Sequence, residues 1–140
     1  GLIVPDLPYE ESGLLSEICK THGVYLVPFL APTSTDDRIA VVCEKAQGFI
    51  YCVSVTGVTG ARAKLNNEIK DLVARIRECT SLPVMVGFGI STPKQVEDIS
   101  HFATGSVVGS ALLDVISKAS KRSAIEAACQ FVASLRSSSQ

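Results

Sequence analysis

A chain of 140 residues with 46% hydrophobic and 19% charged side chains has apolar material for one ordinary core and is not a disordered polymer. Its 13 basic and 14 acidic residues leave a formal net charge of -1 with no long basic run, so nucleic-acid binding has no electrostatic support. No apolar run approaches the ~18 residues of a membrane span.

The opening "GLIVPDLP" lies inside an apolar, strand-like run with no initiator methionine or signal peptide ahead of it. The expectation is that N-terminal strands are absent. Leu2–Val4 then reads as a strand end. Glu10–Thr21 reads as a helix, acidic at its start and basic near its end, broken by Gly23. Val24–Leu30 is a strand stopped by Pro32. Asp36–Gln47 is a helix whose apolar positions Ile39, Val42, Cys43 and Ala46 follow helical spacing. Phe49–Val55 is a strand, and Thr56–Leu65 a glycine-containing loop long enough to need a reason. Asn67–Cys79 is a helix with Ile69, Leu72, Val73 and Ile76 on one face. Val84–Val86 is a strand and Pro93–Phe102 a helix. Val107 and Val108 belong to one more short strand, and a final helical region is richest in helix formers from Ser123 to Leu135.

Strand and helix alternate, and the strands are short, apolar on both faces and rich in Val and Ile. That pattern predicts a parallel sheet covered by helices, in one domain over 1–140. A doubly wound sheet and a (β/α) barrel both fit. On the barrel reading the chain supplies about five strand-helix units. A full eight-unit barrel takes about 250 residues, so the chain would be its C-terminal half and a little more.

Three strand ends carry glycines: "VTGVTGAR" with Gly57 and Gly60, "PVMVGFGISTPKQV" with Gly87 and Gly89, and "VVGSAL" with Gly109 and Ser110. In parallel α/β folds ligands sit beyond the C-terminal strand ends. Glycine there lets backbone approach a ligand. Thr92, Pro93 and Gln95 read as a helix start with a capping box. Unpaired N–H groups near such a start suit a phosphate. The alternative is that these glycines only serve turns.

No catalytic set stands out. Asp6 follows a strand end and either meets a ligand or sits in a turn between two prolines. Tyr51 alternates with Phe49 and Val53, and points to a ligand or is a core aromatic. Thr59 gates a loop or is a turn threonine, and Arg62 steers an anion or is solvated. Five cysteines without a CxxC pair read as small structural thiols, and Cys19 with His22 falls short of a metal-ligand set.

Together "VPDLPYEES", "GFIYCVSVTGVTGAR", "PVMVGFGISTPKQV" and "VVGSAL", in order and with fitting spacing, resemble the tryptophan synthase alpha subunit. The resemblance implies a (β/α)8 TIM barrel, of which this chain would be the C-terminal portion. It implies a lyase that splits indole-3-glycerol phosphate into indole and glyceraldehyde 3-phosphate by retro-aldol chemistry. It also implies a beta subunit carrying pyridoxal phosphate, an assembly of two alpha and two beta subunits, no cofactor in this chain, and a cytoplasmic location, or the stroma in a plant. Gly60, Gly87, Phe88, Gly89, Gly109 and Ser110 match the family's phosphate loops and their neighbours. Tyr51 matches its pocket tyrosine, Thr59 the threonine of a closing loop, and Asp6 an aspartate near the subunit contact. The family's two catalytic carboxylates match nothing here, so no catalytic residue is assigned and the chain alone is expected to be inactive. Other functions to weigh are a non-catalytic half-barrel scaffold or phosphate-binding module, and a free-standing indole-releasing lyase.

Overall fold

The computed structural model describes residues 1–53, 62–87 and 89–136, with side chains in the helix that begins at Arg62 described from Asn67 onward. Six strands are present among them: β1 (Leu2–Ile3), β2 (Leu26–Val27), β3 (Phe29–Leu30), β4 (Ile50–Val53), β5 (Val84–Gly87) and β6 (Gly105–Val107). Six α-helices alternate with them: α1 (Gly13–Thr21), α2 (Asp36–Lys45), α3 (Arg62–Cys79), α4 (Pro93–Ser100), α5 (Ser110–Lys118) and α6 (Ala124–Arg136). All pairings are parallel, with β1 beside β2 in one sheet and β3-β4-β5-β6 in another.

This corrects the expected C-terminal portion of a (β/α)8 TIM barrel in about five strand-helix units. Among the described residues there are six strands in two sheets, with six helices. The run read as one strand, Val24–Leu30, is two. Pro28 separates them because it has no N–H to give to a ladder, and the chain changes partner there. The Pro28 carbonyl still accepts the Tyr51 N–H at 3.0 Å. The final helical region is likewise two helices, α5 and α6, parted by a turn over 119–123.

The core lies on one face of the four-stranded sheet. Side chains alternate along a strand, so Leu30, Ile50, Cys52, Val84 and Val86 turn toward the helices and are buried. They meet Ile39, Val42 and Cys43 of α2 and Ile69, Leu72, Val73 and Ile76 of α3. These are the positions that helical spacing marks as apolar. Arg75 of α3 fastens the two helices from outside, donating to Asp36 Oδ1 at 2.7 Å and to the Ser34 carbonyl at 2.8 Å. The other face carries Phe29, Tyr51, Val53 and Met85, all half-buried.

Helix α4 starts as its sequence dictates. Thr92 Oγ1 accepts from the Gln95 N–H at 3.3 Å, and Gln95 Oε1 accepts from the Thr92 N–H at 3.0 Å. Pro93 occupies the first turn, where no N–H is missed. Thr92→Ala should lower unfolding free energy by about 1 kcal/mol (a typical cap loss) without changing the denaturant slope. Urea titration of the two proteins checks this.

Candidate functional site

The strand ends are brought level by register. Val53 of β4, Gly87 of β5 and Val107 of β6 are neighbours in one row across the sheet. The ends of these three strands therefore stand side by side. Two of them lead to Gly89, and to Gly109 with Ser110. Gly89 has φ +70° and is exposed. A left-handed residue there favours glycine because any Cβ adds strain.

The two helix starts at this edge differ. The first N–H groups of α4 are engaged by its own capping box. Helix α5 has Gly109 at its cap and no side-chain cap, and its first bonds to that cap come from Leu112 and Leu113 to the Gly109 carbonyl. The Ser110 and Ala111 N–H groups precede this ladder. Gly109 is exposed, and no atom lies within 4 Å of where its Cβ would stand. N–H groups at the positive end of a helix suit an anion.

Tyr51 stands on the open face of the sheet, its ring 5.0 Å from that of Phe29 and tilted by 44°. Burial raises its phenol above the ordinary value. Its side chain leans along the sheet until the hydroxyl covers Gly87. A Cβ on Gly87 would stand 2.0 Å from Tyr51 Oη and 2.4 Å from its Cζ. Gly87 is thus a glycine because of Tyr51. The sequence reading, which gave Gly87 to ligand approach, missed this coupling. Alternation alone does not reveal it, because Tyr51 pairs with Met85, two residues before Gly87.

Asp6 follows β1 and is exposed. It lines a cavity of about 900 Å3 together with Glu10, Arg38 and Phe29, and none of Tyr51, Gly87, Gly89, Gly109 or Ser110 lines that cavity. Arg38 Nη1 donates to Glu10 Oε1 there at 2.8 Å. Phe29 links the two regions, with its ring against Tyr51. Thr59, Gly60, Phe88 and the greater part of the Thr56–Leu65 loop, with the side chain of Arg62, lie outside the described residues.

All 14 acidic residues are described, and each is exposed except Glu97, which is half-buried. Among the described residues no group of three or more His, Cys, Asp or Glu side chains is arranged to hold a metal.

A set of thiols lies under the helices. Cys52 and Cys43 are buried, at 0% and 7% exposure. Burial first, and then neighbouring thiols, push Cys43 from 9.0 up to about 11 and Cys52 up to about 12. A group whose folded pKa is raised keeps its contribution to stability below the unfolded value of 9.0 and loses it as pH rises through the folded values. Together the two thiols should cost about 1–3 kcal/mol of unfolding free energy between neutral pH and pH ~10. Denaturation curves over that range check it, and Cys43→Ala with Cys52→Ala should flatten the profile.

The family model for the tryptophan synthase alpha chain matches residues 1–139. The chain belongs to the tryptophan synthase alpha chain family. It is 48% identical to the tryptophan synthase alpha chain of Methanocaldococcus jannaschii over 118 residues, covering 84% of this chain and 42% of the relative. The alpha chain of Chloroflexus aggregans is 41% identical over 140 residues, covering 100% of this chain and 52% of the relative. The solved structure of the tryptophan synthase alpha subunit of Campylobacter jejuni superimposes with a TM-score of 0.84 at 28% identity, over 96% of this chain and 52% of that one. The expectation of a C-terminal piece without its N-terminal strands is not what this match supports. The family match begins at residue 1, and the tryptophan synthase alpha chain likeness extends over the whole of the chain. The chain spans about half the length of the curated alpha chains that it matches.

Proposed function

We propose that this chain provides the phosphate-binding loops and pocket wall of a lyase that cleaves indole-3-glycerol phosphate to indole and glyceraldehyde 3-phosphate in tryptophan biosynthesis. The observation that carries the reading is the family match over residues 1–139. The level strand ends support it, since they gather Gly87, Gly89, Gly109 and Ser110 at one edge. In this reading the Ser110 N–H at the start of α5 and the Gly89 N–H donate to the phosphate. Tyr51 walls the pocket, and Gly87 is the seat that lets its hydroxyl stand there. Thr59, Gly60 and Phe88 join the site on the strength of the sequence motifs alone, and Asp6 acts near a subunit contact.

Cleavage runs as a retro-aldol step. The bond between indole C3 and the first glycerol carbon breaks, its electron pair going to the indole ring. C3 takes up a proton, and the hydroxyl on the departing carbon loses one as the aldehyde forms. No side chain assigned here moves those protons, in keeping with the exposure of the chain's carboxylates. Phosphate contacts hold substrate and transition state alike, which gives affinity rather than chemical rate. Proton transfer is therefore assigned to none of the nine site residues. Indole would pass to a beta subunit holding pyridoxal phosphate, in an assembly of two alpha and two beta subunits in the cytoplasm.

Indole release from indole-3-glycerol phosphate tests the proposal, measured for the whole protein and for the 140-residue chain separately. Cleavage by the whole protein and none by the chain alone is the expected result. Glycerol phosphate binding without cleavage by either would instead favour a non-catalytic phosphate-binding module. Release by the whole protein with no beta subunit present, at its full rate, would favour a free-standing lyase.

A further inference from the structure

The open face of the four-stranded sheet carries two rows of residues near the strand ends. Val53, Gly87 and Val107 form the row at the ends, and Phe29, Tyr51, Met85 and Gly105 form the row one step below. Each row holds one glycine, and each glycine is overlain by a side chain from the neighbouring strand. The Tyr51 hydroxyl covers Gly87. Met85 covers Gly105, where a Cβ would stand 2.8 Å from Met85 Cε and 3.3 Å from Sδ. The thioether therefore reaches sideways across β6. Gly105 has no positive φ that would call for glycine, so the space taken by Met85 is what keeps it small. Met85 thus lies beside Tyr51 and one step below Val107, in the strand that leads to Gly109 and Ser110.

We propose that Met85 is a specificity-determining residue for the aromatic ring of the substrate, and that Gly105 holds it low enough to leave that ring room. The inference rests on the function proposed above. With the phosphate on the Gly89 and Ser110 N–H groups, the rest of the substrate runs from the strand ends over the open face, where Tyr51, Val53 and Met85 supply apolar surface. One step down that face is two residues, or about 7 Å. The three-carbon arm and its ester oxygen, at about 1.5 Å per bond, have that reach. The ring then meets Tyr51 and Met85. An unbranched, polarisable thioether suits such a ring and adapts to its outline. Alanine at 105 would lift the Met85 terminus into the ring's space. That terminus is the far end of a flexible side chain, so its shift costs the fold little, unlike that of the Tyr51 ring, which Phe29 backs at 5.0 Å.

Kinetics of indole release by the whole protein test this, with indole-3-glycerol phosphate and with its four analogues that carry one methyl group on a benzo carbon of the indole. Met85→Ala should raise kcat/KM for at least one methylated substrate, relative to the unsubstituted one, by about 10-fold or more, the range for one methyl group in an apolar pocket. Gly105→Ala should lower kcat/KM for the unsubstituted substrate by about 10-fold, mainly through KM. Met85→Ala in the same chain should restore it. Calorimetric affinity for glycerol 3-phosphate, which has no ring, should stay within about twofold in all three variants. An unmoved ratio of methylated to unsubstituted kcat/KM in Met85→Ala would overturn the inference, whether or not Gly105→Ala folds. So would a Gly105→Ala loss that Met85→Ala does not restore, or one matched by an equal loss of glycerol 3-phosphate affinity. No indole release by the wild-type protein would instead overturn the functional reading, and this inference with it.

Discussion

Gly87→Ala should push Tyr51 off its seat and lower unfolding free energy by about 1–3 kcal/mol, the usual cost of overpacking. The added Cβ would stand 2.0 Å from Tyr51 Oη and 2.4 Å from Cζ, far inside van der Waals contact. The ring cannot retreat freely, because Phe29 stands 5.0 Å away on the neighbouring strand. Removing the hydroxyl alone is no remedy, since Cζ remains in the way. Tyr51→Val in the same chain should therefore recover most of the loss. Urea denaturation of wild type, both single variants and the double variant closes the cycle. A coupling of at least ~1 kcal/mol in the relieving direction is expected. Additive effects would mean that Gly87 is small for some other reason.

Gly89→Val should weaken binding of glycerol 3-phosphate by about 10- to 100-fold, the range for losing one hydrogen bond to a charged group. At φ +70° a β-branched residue is strained, and the backbone relieves that strain by turning the peptide. The N–H proposed to face the phosphate turns with it. Some stability is lost as well, so a matched control is needed. Gly23 has φ +65° and open space where its Cβ would stand, in the turn after α1. Gly23→Val carries similar strain and lies outside the proposed site. Calorimetric titration should show normal affinity for Gly23→Val and the loss only for Gly89→Val. Equal losses in both would reduce the Gly89 effect to general destabilisation.

The parts of the fold that local chemistry determines were legible in the sequence. Helical spacing marks Ile39, Val42 and Cys43 on α2 and Ile69, Leu72, Val73 and Ile76 on α3, and all seven are buried against the sheet. The Thr92–Pro93–Gln95 start of α4 depends on residues three apart, and it forms as read. Features that depend on which strand lies beside which were not legible. Pro28 reads equally as a tolerated edge proline or a strand break, and only the pairing of β2 with β1 and β3 with β4 decides it. The Tyr51–Gly87 contact needs the register between β4 and β5. At the candidate site, the Thr92 cap of α4 is read from residues three apart, whereas the lack of a side-chain cap on α5 emerges only from the structure. The distinct setting of Asp6, in a cavity with Glu10 and Arg38, was not legible either, because three separate elements form it.

The central claim is that the glycine-ended edge of the sheet receives a phosphate ester. Backbone amide shifts of the nitrogen-15-labelled chain, followed as glycerol 3-phosphate is added, test it most directly. The ligand carries the phosphate end of the proposed substrate and needs no turnover to be seen. Saturable shifts that are largest at Gly89, Gly109 and Ser110 are predicted. Still amides at those three residues, with the saturable changes gathered instead around Asp6, Glu10 and Arg38, would contradict the account.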